Sequence, residues 1–300
     1  MTKRIITAAL AAMMALAALC LTGCGEKDSI TIGSKQYTES ILIGEMYAQL
    51  IEEHSDVKVV RKLNLGGTSV CMSALKEGEI DACPMYTGTL YNEVLNHELD
   101  AGVTTEDIRE TCRAEMDEQF DITMFDPQGQ NNTYALAIKS SRQAELGAYK
   151  ISDLAGISSS LRFGADHIFY TRVHDGYDGL VATYGLSFKE ALKMDGSLLY
   201  EAVDSGDLDV VEVFSTDSLL KKYELTCLED DLGLFPPYEG VLVCRNEVLE
   251  KHPELEEILN SLADALDDET VQELNYQVDI AQRSVEDVAK EFLNSNGYIG

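Results

Sequence analysis

The stretch from Leu63 to Leu90, LNLGGTSVCMSALKEGEIDACPMYTGTL, decides the fold class. A strand ending at Leu65 runs into a Gly66-Gly67-Thr68-Ser69 turn, and residues 70–76 carry apolar positions at helical spacing. Residues 80–83 read as a short strand, and Met85-Tyr86-Thr87-Gly88-Thr89 turns into another helix. Both turns then sit at the C-terminal ends of neighbouring strands and at helix N-termini, where open α/β sheets bind small ligands. A tyrosine beside free backbone N–H groups suits a small polar or cationic ligand better than a nucleotide. The competing reading is a surface turn carrying an incidental tyrosine.

Outward from this stretch the alternation continues. Residues 30–33 form a strand, Ser34-Lys35-Gln36-Tyr37 a turn, and Thr38 is placed to N-cap a helix reaching about Glu53. Residues 57–65 give the next strand, so strand–helix–strand units with right-handed crossovers predict a mainly parallel sheet. A second unit starts at Asn131-Asn132-Thr133-Tyr134, with strands at 135–139, 161–165 and 208–214 and a helix beginning near Gly179. Ser215-Thr216-Asp217 can cap a further helix. Phe235-Pro236-Pro237-Tyr238 is a stiff link, because two prolines fix φ and forbid helix. After a strand at 241–245 only helices follow. The chain thus reads as an α/β, two-lobed clamp: lobe 1 from residues 29–133 and 238–300, lobe 2 from 134–237, and two crossover connections serving as hinges.

The N-terminus and the charge bound the location. Lys3 and Arg4 precede an apolar run, and Leu21-Thr22-Gly23-Cys24 matches lipoprotein processing, so residues 1–23 are expected to be a cleaved signal peptide. Cys24 would carry the lipid and 24–28 would be a short linker, tethering the protein outside the cytoplasm to the outer face of the cell membrane. Without Lys3 and Arg4, the formal charge of −30 becomes −32, which argues against nucleic acid as a partner. Cys71, Cys83, Cys112, Cys227 and Cys244 show no C-x-x-C spacing and lie in apolar patterns. They read as buried free thiols, with one disulfide left open.

Several chemistries find no support. The histidines lack metal-ligand spacing, so no metal is expected; Asp166-His167 and His174-Asp175 would need the intervening turn to fold back. No nucleophile elbow or phosphate loop appears, so neither an enzyme nor a cofactor is expected. What remains is four aromatics at loop junctions: Tyr86, Tyr134, Phe214 and Tyr238. Each singly fits interface packing, yet all four fall where one cleft would open. Quaternary ammonium groups donate no hydrogen bond, so aromatic faces are the natural receptor, contributing roughly 0.5–2 kcal/mol each. Lys35 and Arg172 are candidates for a carboxylate at the other end of the ligand, against the alternative of ordinary surface ion pairs.

At these residues the chain resembles the substrate-binding lipoproteins of osmoprotectant ABC importers, which take up glycine betaine, carnitine, choline and related compounds. The resemblance spans about Ser29 to Tyr298. It rests on Gly33-Ser34-Lys35-Gln36-Tyr37-Thr38-Glu39, Leu63 to Ser69, Tyr86-Thr87-Gly88-Thr89, Asn131 to Leu136, Arg172 with Asp175-Gly176, Ser215-Thr216-Asp217 and Phe235-Pro236-Pro237-Tyr238. It implies a periplasmic-binding-protein clamp (type II). In this clamp a cage of Tyr86, Tyr134, Phe214 and Tyr238 holds the ammonium, Lys35 and Arg172 hold the carboxylate, and Thr68 lies alongside. Phe214 departs from the family's all-tyrosine cage. The implied partners are a small quaternary ammonium ligand and an ABC permease with its ATPase, the receptor itself being a monomer. Choline, carnitine or ergothioneine as ligand, or a sensory or enzymatic use of the clamp, are the alternatives.

Overall fold

A computed structural model describes residues 29–98, 103–172 and 174–300. The expected signal peptide, the lipid site at Cys24 and the linker 24–28 lie outside the described residues.

The alternation inferred from sequence is present. Strand β1 (Ser29–Lys35) leads into helix α1 (Thr38–His54), then β2 (Lys58–Gly66), α2 (Thr68–Lys76) and β3 (Ala82–Tyr86). Helix α3 (Thr105–Phe120) and strand β4 (Ile122–Met124) close this part. The middle of the chain supplies β5 (Tyr134–Lys139), β6 (Arg162–Ala165), α4 (Tyr177–Tyr184), β7 (Glu190–Lys193), α5 (Gly196–Ser205), β8 (Val210–Phe214), α6 (Ser218–Lys222) and β9 (Leu225–Cys227). The chain then returns through β10 (Gly240–Arg245) to four helices, α7 (Asn246–Lys251), α8 (Leu255–Leu259), α9 (Asp268–Asp279) and α10 (Val285–Ser295).

Two five-stranded sheets result, ordered β2-β1-β3-β10-β4 and β7-β6-β8-β5-β9. β1 pairs parallel with β2 and β3, whereas β10 is antiparallel to both β3 and β4. In the second sheet β6 pairs parallel with β7 and β8, and β5 is antiparallel to β8 and β9. Four strands of each sheet therefore share one direction and one strand opposes them. The opposing strand is in each case the first after a crossing. The chain enters each new sheet at the cleft, so its first strand must run away from the cleft. The two-lobed α/β clamp is thus built from mixed sheets, and the expectation of mainly parallel pairing missed those two reversed strands.

Each sheet is packed on both faces. Period-2 alternation sends Ile30, Ile32, Leu242 and Cys244 to one side, against Met46, Leu50 and Ile51 of α1 and Leu259, Leu274 and Leu293 of the C-terminal helices. Cys83, Met85, Val241 and Val243 face the other side, against Leu75, Ile108 and Met116. In the second sheet Tyr134, Leu136 and Ile138 face one layer, and Ala135 and Ala137 the other. Each fully buried side chain of this size contributes roughly 1.5–3 kcal/mol. All five cysteines at 71, 83, 112, 227 and 244 are free thiols, buried except for the half-buried Cys227.

Local details differ from expectation where tertiary contacts compete. Tyr37, not Thr38, is the N-cap of α1 and caps without its side chain. The Thr38 hydroxyl instead donates to Asp279 Oδ1 of α9 at 2.5 Å. Helix α2 begins two residues early, at Thr68, and β3 runs on to Tyr86. Asp217 does cap α6, accepting from the Leu219 N–H at 2.8 Å.

The two crossings lie side by side. Asn131 and Glu239 form an antiparallel bridge, the Asn132 N–H donates to the Tyr238 carbonyl at 3.1 Å, and the Tyr238 N–H donates to Asn131 Oδ1 at 2.7 Å. The crossing segments are thereby tied to each other as well as to the lobes.

Candidate functional site

Strand register assembles the site. Tyr86, the last residue of β3, is paired with Gly240, the first of β10; Tyr134, the first of β5, is paired with Phe214, the last of β8. Tyr238 precedes β10 by two residues, and Lys35 is the last residue of β1. Because strands of opposite direction meet end to start at the cleft, residues more than a hundred positions apart converge there. Lys35, Tyr86, Tyr134, Arg172, Phe214 and Tyr238 all line one cavity of about 650 Å³ between the lobes. Thr68 is not among its lining residues: it sits half-buried as the first residue of α2.

The aromatic rings cluster. Tyr134 and Phe214 have ring centroids 4.9 Å apart, and Tyr86 stacks on Tyr37 at 6.3 Å. Tyr238 packs over the turn after β3, where a Cβ on Gly88 would lie 2.6 Å from the Pro237 carbonyl oxygen and 2.7 Å from the Tyr238 ring. Only glycine lets that ring approach so closely. Phe214 is 44% exposed, so its face is open to the cleft.

The charges are arranged unequally. Lys35 is only 4% exposed, and burial pushes its pKa below the ordinary lysine value. Its Nζ lies 5.0 Å from the Tyr86 ring centroid, with no carboxylate in ion-pair range among the described residues. Arg172 is paired: Nε donates to Asp175 Oδ1 at 2.9 Å and Nη2 to Asp175 Oδ2. Burial opposes the Arg172 charge, but Asp175 outweighs it and the pKa lies above the ordinary value. The same guanidinium lies over the Tyr134 ring, 4.7 Å from its centroid, and its charge lies close enough to act on the Tyr134 and Tyr238 hydroxyls. Arg172 and Tyr238 also line a second cleft of about 1020 Å³ and so stand as a partition between the two spaces.

The family described as the substrate-binding domain of the ABC-type glycine betaine transport system matches residues 28–295. This chain belongs to that family. The carnitine transport binding protein of Listeria monocytogenes strain 10403S is 33% identical over 286 residues, covering 94% of this chain and 92% of that protein. The ergothioneine transport permease/ergothioneine binding protein of Helicobacter pylori strain G27 is 33% identical over 273 residues. The match takes in 91% of this chain but 48% of that protein, so the chain spans about half its length. A solved structure described as a glycine betaine/carnitine/choline ABC transporter superposes with a TM-score of 0.85 at 32% identity, covering 90% of this chain and 99% of that one. As a member of the family, the chain is an extracytoplasmic substrate-binding component of an ABC importer and not an enzyme. Among its described residues no helix is long and apolar enough to cross a membrane.

Two residues that sequence reasoning did not single out, Tyr37 and Glu39, also line the cavity. Glu39 is 4% exposed and accepts from the Tyr86 hydroxyl at 2.5 Å and from Asn132 Nδ2 at 3.2 Å. Burial raises its pKa, and the hydrogen bonds from Tyr86 and Asn132 work against that rise. In sequence Glu39 is one more first-turn acid facing the helix dipole; only Tyr86, arriving from another strand, shows its role. Tyr37 lines the cavity too, and its place in the turn after Lys35 was the one available signal. Helix α9 forms a clasp between the lobes. Gln272 Nε2 donates to the Ser215 carbonyl at 2.7 Å, Asn275 Nδ2 to the Thr216 carbonyl at 3.0 Å, and Ser218 Oγ to Asp279 Oδ2 at 3.1 Å, while Lys221 pairs with Glu273. Beneath Phe214, Glu212 is buried and pushed up to about 7 by desolvation.

Proposed function

We propose that this receptor captures a zwitterionic quaternary ammonium solute, glycine betaine or a close relative, in the cavity between its lobes and hands it to an ABC permease. One observation carries the reading: a buried lysine with no carboxylate in ion-pair range among the described residues opens onto the same cavity as Tyr86, Tyr134, Phe214 and Tyr238. A trimethylammonium group needs aromatic faces because it has no hydrogen to donate, and a buried ammonium such as Lys35 needs an anion. A betaine supplies both complements in one small molecule. The names of the relatives, carnitine and ergothioneine binding among them, fit the same chemistry.

Residues 29–133 with 238–300 act as one lobe and 134–237 as the other, bending at the paired crossings. Ligand bridging the lobes shifts the population toward the closed clamp, which the permease reads. A lipid at Cys24 keeps the monomeric receptor near the permease.

A thermal-shift panel of glycine betaine, carnitine, choline and ergothioneine on the purified protein tests this. At 100 times Kd, one site adds about 2.7 kcal/mol of apparent stability. A panel in which none of the four shifts the transition overturns the reading. Tyr86→Ala weakens every quaternary ligand; retention of full affinity by that variant removes Tyr86 from the cage.

A further inference from the structure

Glu39 is a buried acid that lines the ligand cavity, with no basic group in ion-pair range among the described residues. Both of its oxygens accept: Oε1 from the Tyr86 hydroxyl at 2.5 Å and Oε2 from Asn132 Nδ2 at 3.2 Å. A carboxyl group that accepts at both oxygens has the pattern of the ionised form. A hydroxyl donating to such a charge is held about twice as strongly as one donating to a neutral acceptor. The bond also keeps the phenol ring electron-rich, since the proton is drawn toward the acid. The other charge at this ring is positive: Lys35 Nζ lies 5.0 Å from the Tyr86 centroid. Burial lowers the Lys35 pKa, and Cys83, Cys71, Glu93 and Glu39 act against that fall. Arg172, the second basic group of the cavity, is offset by a bidentate Asp175.

We propose that Glu39 is the positioning residue that makes the cage read charge as well as shape: through the Tyr86 hydroxyl it fixes that ring and places a negative charge beside it, so that a quaternary ammonium binds more tightly than an uncharged group of the same size. The inference rests on the quaternary-ammonium reading above. Aromatic faces offer the same apolar contact to a trimethylammonium group and to a tert-butyl group. Only the electrostatic part separates the two, and the charge of Lys35 opposes it. Glu39 supplies the compensating charge at the ring itself. These groups are shielded from solvent, so salt screens their interactions little.

A matched pair of ligands, read by titration calorimetry with displacement for the weaker one, tests this. The charged member is the tightest of glycine betaine, carnitine, choline and ergothioneine. Its partner carries carbon in place of the charged nitrogen: 3,3-dimethylbutanoate for glycine betaine, 3,3-dimethylbutan-1-ol for choline, and so on. In Glu39→Gln the amide oxygen still accepts from Tyr86, and Asn132 can turn its own oxygen to the new amide, so shape is kept while the charge goes. The preference for the charged member falls about tenfold or more, and affinity for the carbon analogue changes less than about threefold. An unchanged preference, or an equal loss for both ligands, overturns the role of Glu39 and leaves the receptor reading intact. Absence of binding by all four quaternary ligands in the unaltered protein overturns both. Should Glu39→Gln fail to fold, Tyr86→Phe severs the same bond and keeps the ring; a preference equal to that of the unaltered protein then refutes action through Tyr86.

Discussion

Gly88→Ala is the sharpest structural probe of the cage, because it touches the site through geometry alone. The added methyl would lie 2.6 Å from the Pro237 carbonyl oxygen and 2.7–2.8 Å from two atoms of the Tyr238 ring. Both distances are well inside van der Waals contact, and one neighbour is backbone of the second crossing, which cannot rotate away. Overpacking of this kind costs about 1–3 kcal/mol. Against it stands helix propensity: Gly88 lies in the helical turn Thr87–Thr89, where alanine gains about 1 kcal/mol over glycine. The net change in stability is therefore a loss of about 0–2 kcal/mol. Binding suffers separately, since the clash is relieved by moving Tyr238. Losing one desolvated cation–π face costs about 0.5–2 kcal/mol, or a 2- to 30-fold rise in Kd. Calorimetric titration with the best-binding betaine, alongside thermal unfolding, measures both terms. An affinity equal to that of the unaltered protein shows that Tyr238 is not a cage wall, or that the crossing yields freely.

Other outcomes follow from single residues. Glu212 has a folded-state pKa of about 7 against an ordinary 4.5, so the folded state holds its proton more tightly and stability falls as pH rises between those values. Glu212→Gln removes that loss: denaturant unfolding gives about 3 kcal/mol more stability than the unaltered protein at pH 8 and little difference at pH 4. An equal gain at both pH values would refute the titration. Asp279→Ala breaks the contacts to Thr38 and Ser218 that join α9 to both lobes, and weakens ligand binding by about two- to tenfold through a looser cleft; an unchanged Kd shows that the clasp is dispensable. Among the thiols at 71, 83, 112, 227 and 244, only the half-buried Cys227 is open to an aromatic disulfide reagent in the native state, and it reacts slowly because burial pushes its pKa up to about 12. Release of several equivalents before unfolding would contradict the packing of the other four.

Much of this was written locally in the chain. Tyr86 after a short strand, Tyr134 and Tyr238 at the crossings, and the proline pair were each legible from turn chemistry and periodicity. The Arg172–Asp175 pair was legible as a neighbouring-acid alternative, and it is present alongside the contact with Tyr134. What the sequence withheld was direction and depth. Nothing in residues 134–139 or 240–245 says that these strands run opposite to their neighbours, because strand direction is set by where the chain enters the sheet. Glu39 looks like a helix-dipole acid until a tyrosine 47 residues away bonds to it. Thr68 reads as cleft-facing by adjacency to Gly66 and Gly67, yet it opens α2 and is not among the residues that line the cavity.

The position of β10 between β3 and β4 has a consequence for how the molecule is made. As the chain emerges from its N-terminus, the first sheet can form only its β2-β1-β3 part. The inner edges of β3 and β4 stay unpaired until residue 245 has appeared, by which time the whole middle sheet is complete. An unpaired edge of that kind is a template for misassociation. Chains truncated before Gly240 should therefore form a sound second sheet and an adhesive, incomplete first one. The final fifth of the polypeptide is what turns a growing chain from an aggregation hazard into a receptor.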